Sequence, residues 1–230
     1  MTEPSDVARG AAAAAAAELV EPGMTIGIGS GRAVWKLVAL LGERSDPIRA
    51  ATASNRTAEL AGEVGIEIVE LDGEVALDLA LDGADEVAPD LGLIKGGGGA
   101  LLREKIVIAA ARRFVVVAET PKKVERLGEG FRLPVEVVRF AWRDTRRRLA
   151  PLLPDAELRT AGDGGDPYLT DEGHFILDCA LDGSTAPAEL AKRLNAVPGV
   201  VEHGLFLGMA ERALLGTPEG EVEVLTAPPR

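Results

Sequence analysis

Short apolar segments alternate with helical segments through the first half of the chain, and no other feature constrains the fold as strongly. The candidate strands cover residues 25–28, 50–53, 67–71, 76–81 and 114–118. Helices are predicted between them at residues 33–41, 56–64 and 100–112. Strands that alternate with helices favour a parallel sheet covered on both faces. We therefore expect an α/β fold with a doubly wound, mostly parallel sheet.

The order of elements changes from about Pro134 onwards. The predicted elements are a strand, a helix, two strands, a helix and a strand, at residues 135–139, 142–152, 157–160, 174–179, 186–196 and 200–203. This βαββαβ order is typical of a small ferredoxin-like α+β domain. Residues 204–225 are expected to return to the first sheet as closing strands. The predicted domains are therefore 1–132 with 205–230, and 133–204.

The composition excludes several classes of partner. The 230 residues carry a net charge of −12, which argues against binding to nucleic acid or to an acidic membrane. Cys179 is the only cysteine, so no intrachain disulfide forms, and His174 and His203 are the only histidines. These residues do not form a metal-ligand pattern, and we assign both histidines to structure. An anionic small molecule would need a locally positive pocket.

The alanine run at residues 11–17 is better explained as an N-terminal helix than as a signal peptide. Glu3 and Asp6 precede the run, and a basic n-region is missing. No segment approaches the roughly 18 to 20 uninterrupted apolar residues that span a bilayer. We therefore expect a cytoplasmic protein.

Carboxylates, a lysine and a glycine run lie close together in residues 79–105. Asp82 follows the predicted strand 76–81, and ligands of open α/β sheets bind beyond the carboxyl ends of strands. Asp85 follows three residues later. On a purely structural interpretation, both aspartates are ordinary turn and capping residues.

Four glycines, Gly96 to Gly99, follow Lys95 and precede the predicted helix 100–112. Glycines allow a close backbone approach, and a helix N-terminus offers unpaired amides, so this loop would hold an anion or an oxyanion. The alternative is a flexible connection, which is entropically costly for four glycines.

A helical wheel predicts that Leu102, Ile106 and Ala109 form the buried stripe of this helix, with Glu104 nearly opposite and leaning over the glycine turn. Its carboxylate would then reach a ligand in the loop. The alternative is a solvated glutamate near a helix N-terminus. Arg103 and Lys105 are interpreted as solvated flanking charges.

A second anion site is predicted at the glycine turn of residues 27–32, which follows a strand and opens a helix. A dinucleotide fingerprint would need glycine where Arg32 stands and an acidic residue near residues 52–54, where none occurs. A phosphate monoester fits better, with Ser30, Arg32 and nearby amides as donors. On a structural interpretation, this segment is only a strand-to-helix turn, and Ser54 is only the N-cap of the next helix. Lys122 either points into the same cleft or is solvated.

The motifs at residues 82–86, 95–98 and 103–105 resemble the signature blocks of type A ribose-5-phosphate isomerases. The segments 27–31, 133–137, 170–174 and 198–206 are similar to further blocks of that family, in the same order. The resemblance implies a Rossmann-like catalytic domain beside the ferredoxin-like domain. It also implies cofactor-free and metal-free interconversion of ribose 5-phosphate and ribulose 5-phosphate, and a homodimer or homotetramer.

The resemblance also implies residue roles. Glu104 matches the catalytic base, Lys95 the oxyanion site, and Asp82 and Asp85 the sugar-binding aspartates. The predicted substrate-binding residues are Ser30, Gly31, Arg32, Ala33, Gly83, Ala84, Gly96, Gly97, Gly98 and Lys122.

The chain departs from the family pattern in its first turn. The first turn reads Ser30-Gly31-Arg32-Ala33, whereas the family typically has T-G-S-T there. Arg9 replaces a lysine that binds phosphate in the family. An arginine side chain can replace the lost hydroxyl donors by a bidentate contact with phosphate, but it is bulkier than the residues it replaces. Two alternatives therefore stay open: an isomerase for another phosphorylated sugar, or a non-catalytic sugar-phosphate sensor. The sensor should carry a basic helix-turn-helix, which this acidic chain lacks.

Overall fold

The computed structural model describes residues 3–162 and 165–227. The helices are α1 (Pro4–Ala17), α2 (Arg32–Gly42), α3 (Asn55–Glu63), α4 (Leu101–Ala109), α5 (Trp142–Leu149) and α6 (Pro187–Asn195). The strands are β1 (Thr25–Ile28), β2 (Arg49–Thr52), β3 (Glu67–Ile68), β4 (Leu79–Asp82), β5 (Glu86–Val87), β6 (Leu93–Ile94), β7 (Phe114–Glu119), β8 (Leu133–Val137), β9 (Glu157–Leu158), β10 (Phe175–Cys179), β11 (Val200–His203), β12 (Leu205–Phe206), β13 (Arg212–Gly216) and β14 (Val222–Thr226). A short 3-10 helix covers Thr120–Lys122.

The main sheet has seven strands in the order β14-β13-β7-β4-β1-β2-β3. All neighbours pair in parallel except β13 and β14, which are antiparallel. From β3 to β13 this is the 3-2-1-4-5-6 order of dinucleotide-binding folds. The doubly wound, mostly parallel sheet and the closing strands are therefore confirmed.

The two faces of the sheet are covered by different elements, as the alternation of side chains along its strands requires. Leu79 and Leu81 of β4 pack with α1, α2 and α3 on one face. Ala80 points to the other face, where Ile108 of α4 packs. The alanine run of α1 lies flat on the sheet, with Ala12, Ala13 and Ala16 fully buried. The run is therefore a helix of the core, as predicted.

The second sheet has four strands in the order β11-β8-β10-β9, and all its pairs are antiparallel. Numbered within this segment, the order is 4-1-3-2, which is the arrangement expected for the βαββαβ pattern. Leu149 of α5 and Leu194 of α6 are fully buried against this sheet with Val135 and Leu177. The ferredoxin-like part of the prediction is confirmed.

A third sheet, in the order β12-β6-β5, was not predicted. Each of its strands is two residues long, which is too short to produce a recognisable alternation of apolar and polar residues. Its strand β6 immediately precedes Lys95, and its strand β12 directly follows the ferredoxin-like segment. The small sheet therefore joins that segment to the lysine.

Several predicted elements are longer than the observed ones, and β3 and α4 are two examples. The pairing of β3 ends at Val69, whose amide donates to the Ala50 carbonyl at 2.9 Å, and Val69 and Leu71 pack against the cluster that contains Leu77. Helix α4 ends early because the Arg112 amide donates to the Leu77 carbonyl at 2.9 Å. In the described part of the chain, no helix is both long and apolar enough to cross a membrane.

Candidate active site

One cavity of about 590 Å³ opens beyond the carboxyl ends of the main-sheet strands. It brings together the predicted site residues Ser30, Gly31, Arg32, Ala33, Gly83, Ala84, Asp85, Lys95, Gly96, Gly97, Gly98, Glu104 and Lys122. Asp82 is the exception, because it is fully buried and does not line the cavity. The carboxyl end of a parallel sheet is where ligands bind in open α/β folds.

A buried ammonium group lies at the base of the cavity. The Lys95 side chain is only 2 % exposed, and its Nζ lies 2.9 Å from Asp82 Oδ2 and 3.1 Å from Glu104 Oε2. Nζ also donates to the Gly83 carbonyl at 2.8 Å. Burial opposes the charge, but Asp82 and Glu104 raise the pKa of Lys95 above its usual value. The lysine is therefore a permanent cation at neutral pH.

Glu104 is the group of this cluster whose pKa lies near neutrality. Burial, and next the negative charge of Asp82, raise its pKa from 4.5 to about 8, although Lys95 opposes the shift. Burial raises the pKa of Asp82 as well, but Lys95 and the amides of Ser30 and Gly83 stabilise its charged form. Glu104 lacks such backbone donors among the described residues. A carboxyl group with a pKa near neutrality is suited to accept and return a proton.

The predicted buried stripe of α4 is wrong. Ile106 is 52 % exposed and Ala109 is also exposed, whereas Glu104 lies on the buried face with Leu101 and Val107. The helical wheel assumed that apolar positions face the core. In fact the core face includes a carboxylate, whose burial is compensated by Lys95.

Arg103 and Lys105 are not the free solvated charges that the sequence indicated. Arg103 donates to Asn55 Oδ1 at 2.8 Å and pairs with Glu172, so it links the first turn of α3 to the ferredoxin-like segment. Lys105 Nζ lies 2.7 Å from both Glu202 Oε1 and the His203 carbonyl. These contacts join residues 48 to 98 positions apart in sequence, so no local pattern could predict them.

The glycine run requires its glycines at specific positions. Gly96 has a φ of 106°, which side chains rarely adopt. The Gly97 amide donates to Asp85 Oδ2 at 2.7 Å, and a Cβ on Gly97 would lie 2.6 Å from Asp85 Oδ1. A Cβ on Gly99 would collide with the Tyr168 hydroxyl. The loop is thus a packed structure rather than a flexible connection.

The first turn forms the opposite wall of the cavity. Ser30 is held by its amide, which donates to Asp82 Oδ1 at 3.1 Å, and by its hydroxyl, which lies 3.1 Å from Ser54 Oγ. Gly31, with a φ of 109°, caps α2 without a side-chain hydrogen bond. The N-terminal amides of α2 therefore face the cavity, as an anion site requires. Arg32 is exposed beside them.

Three further cations surround this wall. Arg9 lines the cavity and pairs with Glu119 at 2.6 Å, with both side chains 12 % exposed. Lys122 also lines it, from the 3-10 helix that follows β7. Arg56 lines it from α3. Glu119 also lines the cavity and compensates Arg9, so the positive charge of this wall comes mainly from Arg32, Arg56 and Lys122.

Ser54 is both a cap and a cavity residue. Its Oγ accepts the Thr57 amide at 3.1 Å, which is the N-cap bond of α3, and it also lines the cavity. The structural interpretation of Ser54 is therefore correct but incomplete. Cavity residues that sequence reasoning missed include Trp35, Phe131, Tyr168 and Asp171. The last two come from the ferredoxin-like segment; no motif marked Tyr168, and Asp171 lies in the 170–174 block but was given no role.

Neither histidine lines the cavity. His174 Nδ1 lies 3.0 Å from Glu136 Oε1, and His203 is buried behind α4. Burial lowers the pKa of His203 to about 4, so this histidine is neutral at physiological pH. Both positions agree with the structural roles assigned to them.

Comparison with known proteins identifies the family. The family profile described as "Ribose 5-phosphate isomerase A (phosphoriboisomerase A)" matches residues 49–220. The chain belongs to the ribose 5-phosphate isomerase A family. A ribose-5-phosphate isomerase A of Synechococcus is 47 % identical, with 94 % of this chain and 96 % of the relative covered. One of Roseiflexus castenholzii is 50 % identical, with 93 % of each chain covered.

Solved structures of the family share the whole fold. Ribose 5-phosphate isomerase A of Methanocaldococcus jannaschii superposes with a TM-score of 0.89 at 37 % identity, covering 95 % of this chain and 97 % of that one. A D-ribose-5-phosphate isomerase in complex with phospho-erythronic acid has a TM-score of 0.89 at 36 % identity, covering 98 % of this chain and all of that one. The resemblance drawn from the motifs is therefore confirmed.

Proposed function

We propose that the chain interconverts ribose 5-phosphate and ribulose 5-phosphate, a step of the pentose phosphate pathway. The relatives that match along nearly the whole chain are named ribose-5-phosphate isomerase A. The observation in the cavity that carries the proposal is the Glu104 carboxyl, with a pKa of about 8, beside the fixed cation of Lys95. A base of this kind is what the removal of a proton next to a carbonyl group requires.

The proton transfer is assigned to Glu104. In the open-chain aldose, C1 is the aldehyde carbon and C2 carries a hydrogen and a hydroxyl. The Glu104 carboxylate removes the C2 proton, the C–H electron pair forms a C1=C2 double bond, and a carbonyl pair moves to O1 as an enediolate. The O2 proton then passes to O1, the C2=O bond forms, and Glu104 returns its proton to C1. Atoms and electrons balance without a metal or cofactor.

Lys95 is assigned two tasks in sequence. In the free protein its three N–H donors face Asp82, Glu104 and the Gly83 carbonyl. When Glu104 becomes neutral by accepting the C2 proton, its attraction for the ammonium falls. The ammonium is then available to the oxyanion, whose charge appears at the same moment. Asp82 is assigned to hold Lys95, and Asp85 to bind a sugar hydroxyl or the loop.

The phosphate group is assigned to the wall formed by the N-terminus of α2. The amides that follow Gly31, the Ser30 hydroxyl and the exposed Arg32 provide donors on one side. Lys122 provides positive charge, and Arg9 lies beside it in its ion pair with Glu119. An anion at a helix N-terminus is stabilised by unpaired amides and the helix dipole together.

The test is a coupled assay with ribose 5-phosphate and a panel of other aldose phosphates. Glu104→Gln should lower kcat by about 10²- to 10⁴-fold while phospho-erythronic acid still binds. Glu189→Gln, on α6 and outside the cavity, is the matched control and should be unchanged. A Glu104→Gln protein with most of its rate would refute the assignment. A preference for another sugar would reassign the substrate, and no conversion of any sugar would favour a sensor.

The quaternary and domain organisation belongs to the same proposal. Residues 1–132 and 205–230 form the catalytic domain, and residues 133–204 form a domain that supports it. The chain assembles as a homodimer or homotetramer, for which Phe140, 87 % exposed beside the aromatic pair of Trp142 and Phe175, is a candidate contact. Light scattering of the wild type and of Phe140→Ser tests this, since a monomeric wild type would exclude it. A cytoplasmic location stays a prediction.

A further inference from the structure

Two side chains of the ferredoxin-like segment hold the carbonyl groups of the glycine run. Arg159 Nη1 donates to the Gly96 carbonyl at 2.8 Å and to the Gly97 carbonyl at 3.1 Å. The Tyr168 hydroxyl donates to the Gly98 carbonyl at 3.0 Å. Three successive carbonyls are therefore bound by side chains that lie more than 60 residues further along the chain.

The guanidinium of Arg159 is itself fixed in place. Its Nε and Nη2 form a two-point ion pair with the carboxylate of Asp178 on β10, at 2.9 and 2.5 Å. The side chain is 13 % exposed, and it lies 5.8 Å from the centre of the Tyr168 ring. Such a bidentate pair fixes the plane of the guanidinium as well as its position.

The orientation of these carbonyls determines where the opposite ends of the peptides point. The Gly97 carbonyl held by Arg159 shares its peptide with the Gly98 amide, which donates to no acceptor among the described residues and lines the cavity. The amides of the other two held peptides are already bound, because Gly97 donates to Asp85 and Gly99 donates to the Gly96 carbonyl. A peptide plane whose carbonyl is held on one side presents its amide on the other. Arg159 itself does not line the cavity, and Asp178 compensates its charge, so it acts on the loop through these hydrogen bonds.

We propose that Arg159, supported by Tyr168 on the next peptide, is a positioning residue for isomerisation, which aligns the Gly98 amide with the enediolate oxygen. The inference rests on the proposed function of the cavity. A donor that is fixed in advance acts on the charge that develops in the transition state more than on the neutral carbonyl. Loss of Arg159 should therefore reduce kcat more than it raises KM.

The variant that tests this is Arg159→Met, which keeps the length of the side chain without its donors. We expect kcat to fall by about 10- to 100-fold, because loss of alignment by about 1 Å has effects of this size, while KM changes by less than about threefold. Tyr168→Phe should show a smaller loss of the same kind. Asp178→Asn weakens the ion pair that fixes the guanidinium, so its loss of kcat should lie between the losses of Arg159→Met and Tyr168→Phe.

Arg132→Met is the matched control. Arg132 binds the Asp178 and Asp155 carbonyls in the same part of the fold but does not contact the glycine run. The Arg132→Met variant should lower the unfolding temperature about as much as Arg159→Met does, and its kcat should equal that of the wild type. Equal effects of the two arginine variants on kcat would overturn the proposal, because they would indicate a general structural role.

Binding of phospho-erythronic acid, measured by calorimetry, provides a readout that does not depend on turnover. Its carboxylate is an anion at the end of a phosphorylated chain, so its Kd should rise about tenfold or more in Arg159→Met and stay constant in Arg132→Met. Unchanged binding in Arg159→Met would overturn the inference. If the wild type binds this acid but does not isomerise ribose 5-phosphate, the proposed function is wrong. The Kd values of the wild type and the two arginine variants would still show whether Arg159 positions the donors of the loop. If Arg159→Met does not fold, Arg159→Lys and Tyr168→Phe supply both readouts.

Discussion

Replacing Lys95 by Met should change the pH dependence of the reaction in a way that identifies Glu104 as the base. In the wild type the Glu104 pKa of about 8 means that kcat/KM falls tenfold per pH unit below about pH 8, as the carboxylate takes up a proton. Lys95 Nζ lies 3.1 Å from Glu104 Oε2. At an effective dielectric constant of about 20, this attraction is worth about 5 kcal/mol, or roughly four pKa units.

Part of that shift is offset in the variant, because Asp82 also loses its cation, becomes protonated and no longer repels Glu104. We therefore expect the acidic limb of the profile to move up by at least about two pH units, which lowers kcat/KM at pH 8 by about 50-fold. The rate should recover tenfold per pH unit up to about pH 10.

The assay is kcat/KM for ribose 5-phosphate between about pH 6 and pH 10. If kcat/KM of the variant is lowered by the same factor at every pH and the acidic limb stays at its wild-type position, the reasoning is refuted. Lys95 would then act by contacting the substrate and not by setting the pKa of Glu104. Stability provides a second readout of the same charges. Carboxyls with raised pKa values in the folded state make the protein less stable as the pH rises above their unfolded values. The unfolding temperature of Lys95→Met should therefore be highest near pH 5 and fall towards pH 9.

Two other positions offer independent predictions. Gly97→Ala places a Cβ 2.6 Å from Asp85 Oδ1 and 2.9 Å from Phe131 Cζ, so kcat/KM in the coupled assay should fall by about tenfold or more. Gly62→Ala, on α3 with no atom within 4 Å of the added Cβ, is its control, and wild-type activity in Gly97→Ala would contradict the packed loop. Burial, and next the charge of Asp178, raise the pKa of the Cys179 thiol to about 12, so native protein should resist alkylation by iodoacetamide at pH 8. Rapid labelling without unfolding would show that Cys179 is accessible.

The elements that could be predicted are those whose sequence carries a local physical signal. Residues 25–28 and 114–118 are buried on both faces, and such strands appear as continuous apolar runs. The glycine turn at Gly31 marked the start of α2, and Asp82 marked the carboxyl end of β4. These signals were sufficient for the doubly wound sheet and for the place of the cavity in it.

The features that could not be predicted depend on distant partners. The wheel for α4 failed because Glu104 is buried only where Lys95 compensates its charge. Arg159 and Tyr168 carry no motif, and their role appears only when β9 and the following loop lie against the glycine run. By contrast, the first turn was expected to supply Ser30, Arg32 and nearby amides as phosphate donors, and the N-terminus of α2 offers such amides whatever residue stands at position 32.

The small third sheet affects the time at which the cavity is completed during folding. The amide of Lys95 donates to the Gly204 carbonyl at 2.9 Å, and the Gly204 amide donates to the Pro134 carbonyl at 2.8 Å. Gly204 thus joins both ends of the ferredoxin-like segment to the lysine, and a Cβ there would lie 2.8 Å from Pro134 Cδ. A chain emerging from the ribosome lacks these contacts until residue 204 of its 230 has been synthesised. Contacts so distant in sequence form slowly, so we expect Lys95 to take its final position after the core around β1 and β4 has become able to fold.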